Sequence, residues 1–272
     1  MAHRLAAKDG YDLARCGRCQ HTFVMDPPPA EDLARHYEYA RDPAAVPDFV
    51  FPILRGVVSG FDRVRCTGRL LDVGFGAGAM LRAASELGWE AHGIEIARSA
   101  IDAVRAAGIR AELAEGDFLT HPYEPGSFDV VIFDGIVANL RYPLTFFARA
   151  REVLRGGGLL YATTPNGRGL SALVLGAEWS ACAPPEHLHL FSSRSIAVAS
   201  RRSGFASTRT YTRGVNPYEL LRRFGRGRTT PRGTAVNAAL MRTGSGRLVK
   251  RAANAVLRAT GLGDQLYLEA NA

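Results

Sequence analysis

Residues 69–95 read RLLDVGFGAGAMLRAASELGWEAHGIE, and this stretch decides the fold. Residues 70–73 form an apolar run of strand length, Gly74, Gly76 and Gly78 follow at alternate positions, and a helical pattern begins after them. Strand, glycine turn and helix in that order make the nucleotide-binding corner of a doubly wound α/β domain. Glycine tolerates φ > 0 and brings backbone close to a ligand, while the helix that follows turns its amino end to polar groups. A second apolar segment, 91–96, delivers Glu95 to the end of the next strand, where a carboxylate can accept hydrogen bonds from both hydroxyls of a ribose. Two cofactor classes use such a corner. Gly74, Gly76 and Ala79 also satisfy the relaxed dinucleotide fingerprint with alanine in last place, so this stretch alone leaves a nicotinamide enzyme open.

Three further features narrow the choice. Asp72 lies inside the strand end just before the glycines, GDF follows at Gly116 to Phe118, and FDVVIFD runs from Phe128 to Asp134. A nicotinamide reading leaves Asp72 and Asp117 without a role. With these motifs the chain resembles the class I S-adenosylmethionine-dependent methyltransferases, in particular the bacterial small-molecule and sugar type. That family carries D-x-G-x-G-x-G after the first strand, an acid after the second, G-D after the third and F-D-V-V for the fourth. The resemblance implies a Rossmann-like α/β fold, a doubly wound seven-stranded, mostly parallel sheet whose last strand is antiparallel, with a helical insertion before it. It places Asp72, Glu95 and Asp117 where that family binds the methionine ammonium side, the ribose and the adenine amino group, with Gly74, Gly76, Gly78 and Ile96 as further cofactor-binding residues and Phe118 as a cover for one adenine face. Asp134 either contacts the cofactor or caps the next helix.

Upstream of the corner, residues 1–66 are expected to form a separate segment, and 67–272 the methyltransferase domain. Residues 1–29 show little apolar periodicity and end in DPPP, which stops regular structure. Within them CGRC places Cys16 and Cys19 at the spacing of a zinc knuckle, but tetrahedral zinc takes four ligands and only half a site is visible. The stretch also resembles the zinc-ribbon tail of some bacterial small-molecule methyltransferases. The reading favoured here is free thiols in a turn, with no metal, over zinc completed by His21, His3 or another chain. Apolar residues then recur at three and four positions over 31–39 and 49–64, predicting two helices that cap the cofactor pocket.

Downstream, a helix over 99–107, a third strand over 109–113 and a fourth over 130–133 continue the βα alternation of a parallel sheet. Many members of the resembling family show E-H where this chain has Ala138 and Asn139. An asparagine cannot take a proton near neutral pH, so the usual general base is missing there. The segment 177–195, AEWSACAPPEHLHLFSSRS, reads as a loop, and the family carries a similar P-E-H-L-x-x-F-S stretch. His187 and His189 in it are the candidate catalytic bases, since an unperturbed imidazole titrates near neutral pH. Ser192 is placed to cap a helix through Ser200, a sixth strand follows over 205–211, and 263–270 alternates like the seventh.

The 272 residues, 47% of them hydrophobic, suffice for one large α/β domain with an accessory segment. There is no apolar run long enough to span a membrane and no leader-like opening, so a cytoplasmic protein with reduced cysteines is expected. The net charge of +8 is localised: over 215–260 nine arginines and one lysine meet a single acid, Glu219, leaving the rest near neutral. This insertion is expected to fold as helices with a basic face, the last having Leu248, Val249, Ala252, Val256 and Leu257 on one side and Arg247, Lys250, Arg251, Asn254 and Arg258 on the other. It would suit an anionic acceptor or a peripheral membrane contact. The expected activity is methyl transfer from S-adenosylmethionine to a small-molecule acceptor, foremost a hydroxyl of a sugar or secondary metabolite, with N- or C-methylation, a nucleic-acid methyltransferase and a non-catalytic cofactor binder as rivals. Nucleic acid is disfavoured, because TPN at Thr164 to Asn166 only faintly matches the motif used on base amines.

Overall fold

The chain opens on strands, which the sequence reading did not anticipate. In the computed structural model, which describes residues 1–29, 32–33, 46–47, 49–217, 219–220 and 244–272, β1 (Ala2–Lys8) and β2 (Tyr11–Cys16) form an antiparallel hairpin with Lys8 opposite Tyr11. Asp9 and Gly10 at its tip both have positive φ, 51° and 83°, as expected of a two-residue Asp-Gly hairpin turn. The third strand, β3 (Thr22–Val24), pairs with β2. The DPPP that follows does end the regular structure. The helix expected over 31–39 lies almost wholly outside the described residues. The one expected over 49–64 is α1 (Phe51–Ser59), which begins with Pro52 in its first turn and tightens into a 3-10 turn (Gly60–Val64).

The βα units follow in register. They are β4 (Arg69–Val73), α2 (Ala79–Glu86), β5 (Glu90–Glu95), α3 (Arg98–Ala106), β6 (Glu112–Glu115), β7 (Phe128–Asp134), α4 (Pro143–Val153) and β8 (Leu154–Pro165). The third strand of the sheet, β6, thus starts three residues later than expected: Gly108 ends the α3 turn, and pairing with β5 begins only at His92 opposite Glu112. Strands β4 and β7 are buried on both faces, with Leu70, Leu71, Val130, Val131, Ile132 and Phe133 fully enclosed, the condition of a parallel sheet covered by helices.

The segment read as a loop holds structure. After α5 (Leu170–Leu175), residues His189–Leu190 form β9, which pairs with β3 through Phe23 opposite His189 and completes a four-stranded sheet of order β1-β2-β3-β9. Ser192 caps α6 (Ser193–Arg202) as expected, its hydroxyl accepting the Ser195 N–H at 3.0 Å. Strand β10 (Ser207–Arg213), helix α7 (Gly244–Thr260) and strand β11 (Gln265–Asn271) end the chain. The large sheet has the order β10-β11-β8-β7-β4-β5-β6. Strand β11 runs antiparallel to β8: Asn166 at one end bonds to Asp264, and Gly158 at the other to Ala272. The expected seventh strand is therefore inserted between the fifth and the sixth.

Two compact units result, and they interleave along the chain instead of dividing at residue 66. One comprises Met1–Pro27, Thr164–Ala197 and Thr210–Tyr267, the other Pro28–Thr163, Val198–Arg209 and Leu268–Ala272. Most of the basic insertion lies outside the described residues. Within the described part of α7, Val256 is 62% exposed and Asn254 is half-buried, accepting the Gly214 N–H at 3.1 Å. The inner side of this helix is thus turned relative to the expected stripe, because its carboxyl half is positioned by polar bonds to the end of β10.

Candidate active site

The glycine turn is built by backbone conformation first. Gly74, Gly76 and Gly78 have φ of 67°, 50° and 70°, and Gly78 is the N-cap of α2. Of the three, Gly76 is the one at which an added Cβ would meet nothing within 4 Å, so the turn leaves open space on that side. An L side chain there would both strain the backbone and fill the opening.

Glu95, at the end of β5, ties this turn down. One carboxylate oxygen accepts the Gly76 N–H at 3.1 Å, and the other accepts the N–H groups of Ile96 and Ala97 at 2.8 and 3.2 Å. Ile96 beside it is 50% exposed, an apolar side chain of the kind a ligand ring covers. Asp117 is exposed after β6, and one of its oxygens accepts the Leu119 N–H at 2.9 Å. Its neighbour Phe118 differs from expectation. At 2% exposure it is packed edge-on against Phe133 and beside Phe146, both with centroids 5.8 Å away, so it braces the loop from within and offers no open ring face.

Asp72 is the anomaly of the region. It is 2% exposed, and its Oδ1 has no hydrogen-bond partner among the described residues. Burial, and then the neighbouring charges of Asp134 and Glu95, push its carboxyl well above the usual carboxylate range. Asp134 is itself held: Thr163 donates its hydroxyl to it at 2.6 Å and accepts the Gly135 N–H at 3.0 Å. Two further carboxylates beside an unpartnered buried oxygen make a place that a cation would relieve. An ammonium group, a ribose diol and an adenine amino group therefore find matching acceptors at Asp72, Glu95 and Asp117, so these residues fit S-adenosylmethionine. Thr163 was missed by the sequence reading; its signal was ATTPN, hydroxyl side chains at the carboxyl end of a parallel strand.

The two candidate histidines differ. His187 donates its Nδ1–H to the Ala181 carbonyl at 2.7 Å, which fixes the tautomer and leaves Nε2 as the basic nitrogen. His189, in β9, is used by the small sheet: its Nδ1 lies 3.1 Å from Nε2 of His21, and both rings pack on Phe191. Burial, then His189, pushes His21 down to about 3, so the His21 ring is neutral. His187 therefore remains the better catalytic candidate. Asn139 occupies a turn, its N–H bonded to the Ile136 carbonyl at 2.9 Å.

Cys16 and Cys19 are free thiols at the β2–β3 turn. The N–H groups of Cys19 and Arg18, with the Cys19 thiol, hold the Cys16 thiol below its ordinary range. Neither His3 nor His21 completes a four-ligand set with them. Among the described residues the one group of three ligand atoms within 4.8 Å is Glu90, His92 and Glu112. It lies at the amino ends of β5 and β6, opposite the glycine turn, and Arg69 already pairs with Glu90 at 3.2 Å. No helix among the described residues is long and apolar enough to cross a membrane.

Comparison with known proteins bears on the family and the fold. Residues 61–210 match the family model described as a methyltransferase domain. The chain is 31% identical over 123 residues to a ubiquinone biosynthesis O-methyltransferase of Cereibacter sphaeroides, covering 41% of this chain and 47% of that protein. It thus spans about half the length of the curated relatives it matches. A SAM-dependent methyltransferase structure from Archaeoglobus fulgidus superimposes with a TM-score of 0.56 at 15% identity, covering 83% of this chain and 94% of that one. One from Mesorhizobium loti gives 0.52 at 16% identity, covering 80% and 100%. At such identities the structures speak for the fold.

Proposed function

The chain belongs to the methyltransferase-domain family, and on that premise we propose that it moves a methyl group from S-adenosylmethionine to a small-molecule acceptor, foremost a hydroxyl of a sugar or secondary metabolite. The observation that carries the reading is Asp72, a buried carboxylate with an unpartnered oxygen beside an open glycine turn. Asp72 would take the ammonium group, Glu95 the ribose hydroxyls and Asp117 the adenine amino group, with Ile96 against the ring. Oxygen is favoured as the accepting atom because the curated relatives are named O-methyltransferases.

When bound, the cofactor supplies a methyl group activated by the adjoining sulfonium. The protein's part is then to fix geometry and handle a proton. Alignment of the acceptor oxygen with the methyl carbon supplies much of the rate, so no metal is needed. A hydroxyl must lose its proton during transfer. Asn139 cannot accept it, whereas His187, with its Nδ1–H committed to the Ala181 carbonyl, has Nε2 as the nitrogen that would take it.

Two measurements test the proposal. Calorimetry should show S-adenosylhomocysteine binding that is weakened about tenfold or more in Asp72→Asn, and incubation of the chain and S-adenosylmethionine with pooled metabolites should give a product heavier by one CH2 unit. NADH binding with no response to S-adenosylhomocysteine would sink the reading. If His187→Ala binds the cofactor normally and keeps full turnover between about pH 6 and 9, that histidine is not the base.

A further inference from the structure

A cluster of two arginines and two tyrosines lies where β10, β11 and the end of α7 meet, apart from the cofactor-binding and catalytic candidates. Tyr211 of β10 and Tyr267 of β11 stack with ring centroids 4.8 Å apart and planes within 4°. The Arg213 guanidinium sits 5.0 Å from the first ring centroid and 5.5 Å from the second. Arg258, from α7, sits 4.7 Å from the Tyr211 centroid. Arg213 follows Tyr211 by two positions on a strand, so both project from the same face.

This arrangement is braced. Thr212, 1% exposed, donates to the Leu257 carbonyl at 2.8 Å and accepts the Gly263 N–H at 3.1 Å, and Asn254 accepts the Gly214 N–H at 3.1 Å. Gly263 allows the approach, since an added Cβ there would stand 2.5 Å from the Arg213 backbone nitrogen. The helix end that carries Arg258 is therefore bolted to the strand that carries Arg213.

Neither Arg213 nor Arg258 forms an ion pair among the described residues, whereas Arg4, Arg55, Arg69, Arg98 and Arg155 all do. Glu219, the single acid of 215–260, is engaged by the Ser180 N–H and hydroxyl. Stacking on a ring orients a guanidinium plane but leaves its edge N–H donors available, and that fork matches two oxygens of a phosphate.

We propose that Arg213 and Arg258, held on the Tyr211–Tyr267 stack, form a binding site for the phosphate or pyrophosphate group of a small ligand. Two fixed positive charges suit a dianion better than a carboxylate, and the planar forks suit its tetrahedral oxygens. The site stands on its own residues and does not depend on methyl transfer.

The test is calorimetric titration of the full chain with inorganic pyrophosphate at constant ionic strength set by sodium chloride, with S-adenosylhomocysteine affinity measured alongside. Pyrophosphate should bind and raise the thermal midpoint of the wild type. Arg213→Gln and Arg258→Gln should each weaken it about tenfold or more, with S-adenosylhomocysteine affinity unchanged. Arg258→Lys should weaken it nearly as far, since an ammonium keeps the charge but neither stacks nor forks. Lysine variants equal to wild type would reduce the site to bulk charge and overturn the proposal. So would an absence of pyrophosphate binding to the wild type, or binding of a single-stranded oligonucleotide that pyrophosphate fails to displace.

Discussion

Two buried aspartates lie on adjacent parallel strands, and the protein treats them in opposite ways. Asp129, near the amino end of β7, is fully enclosed and accepts the N–H groups of Cys66 and Gly68 at 2.8 and 2.7 Å and the Arg155 Nε at 2.5 Å. Burial alone would raise its carboxyl, but these donors outweigh it and hold the group below the usual carboxylate range. Asp72, three positions further along the sheet, faces Asp134 and Glu95 with one oxygen unpartnered and is pushed the other way. The amino end of the sheet thus uses a carboxylate to staple the chain, and the carboxyl end holds one in reserve. In open α/β sheets ligands gather at the carboxyl ends of strands, which is where the unmet group stands.

The largest effect expected from this contrast is on stability, at Asp129. Asp129→Asn leaves Arg155 without its partner and should cost about 3 kcal/mol in urea unfolding, at the low end for a broken buried pair because Arg155 keeps some solvent contact. The protein that remains folded should bind S-adenosylhomocysteine as before. Asp72→Asn should do the reverse: the unfolding midpoint does not fall, while affinity falls by about tenfold to a hundredfold, the worth of a charge-assisted hydrogen bond. If Asp72→Asn unfolds the protein, or Asp129→Asn leaves stability intact, the contrast is wrong.

The carboxyl end was the legible half of this comparison. Asp72, the alternate glycines, Glu95 and Asp117 sit within a few residues of strand ends that hydrophobic runs mark clearly, so local pattern suffices to place them. The role of Asp129 was less visible, because its partners Cys66, Gly68 and Arg155 are brought together only by strand pairing. The small sheet was hidden for the same reason. Strand β9 is two residues long and gains its identity from β3, which lies more than a hundred residues away in the chain. The Asp9-Gly10 turn was a readable hairpin signal that the scarcity of apolar alternation in 2–16 obscured. Phe118 and Val256 were misjudged because periodicity gives a side chain's neighbours along its own element but not which outer element covers it.

Glu95 sharpens the comparison, because it combines both behaviours in one side chain. Its bonds to Ile96, Ala97 and Gly76 are structural, yet a carboxylate has about four acceptor positions and three are taken here. Holding both hydroxyls of a ribose would then require the Gly76 bond to yield. Glu95→Gln keeps the shape but removes the charge, and should lower S-adenosylhomocysteine affinity about tenfold, from a loss of roughly 1.5 kcal/mol. The stability cost should stay below about 1 kcal/mol, since the amide side chain keeps an oxygen for the Ile96 and Ala97 donors and the Gly76 donor is only partly covered. A larger stability loss with unchanged affinity would make Glu95 a second Asp129.

The smallest effect, and the sharpest in sign, is the pH dependence of the ligand-free protein. Asp129 has a folded carboxyl pKa below its unfolded one, so its contribution is present above the unfolded carboxylate range and is lost as pH falls through the folded value. Asp72 has its folded pKa raised, so the folded state binds more protons than the unfolded one. Its contribution is most favourable below the unfolded pKa and is eroded as pH climbs toward the folded value. Urea midpoints measured from about pH 4 to 8 should therefore rise less with pH in Asp129→Asn than in wild type, and rise more in Asp72→Asn. Saturating S-adenosylhomocysteine should cancel the Asp72 difference from the wild-type side, because a bound ammonium group stabilises the charged carboxylate and returns its pKa toward the ordinary range. If the ligand leaves the wild-type pH slope unchanged, Asp72 is not the group that receives that ammonium.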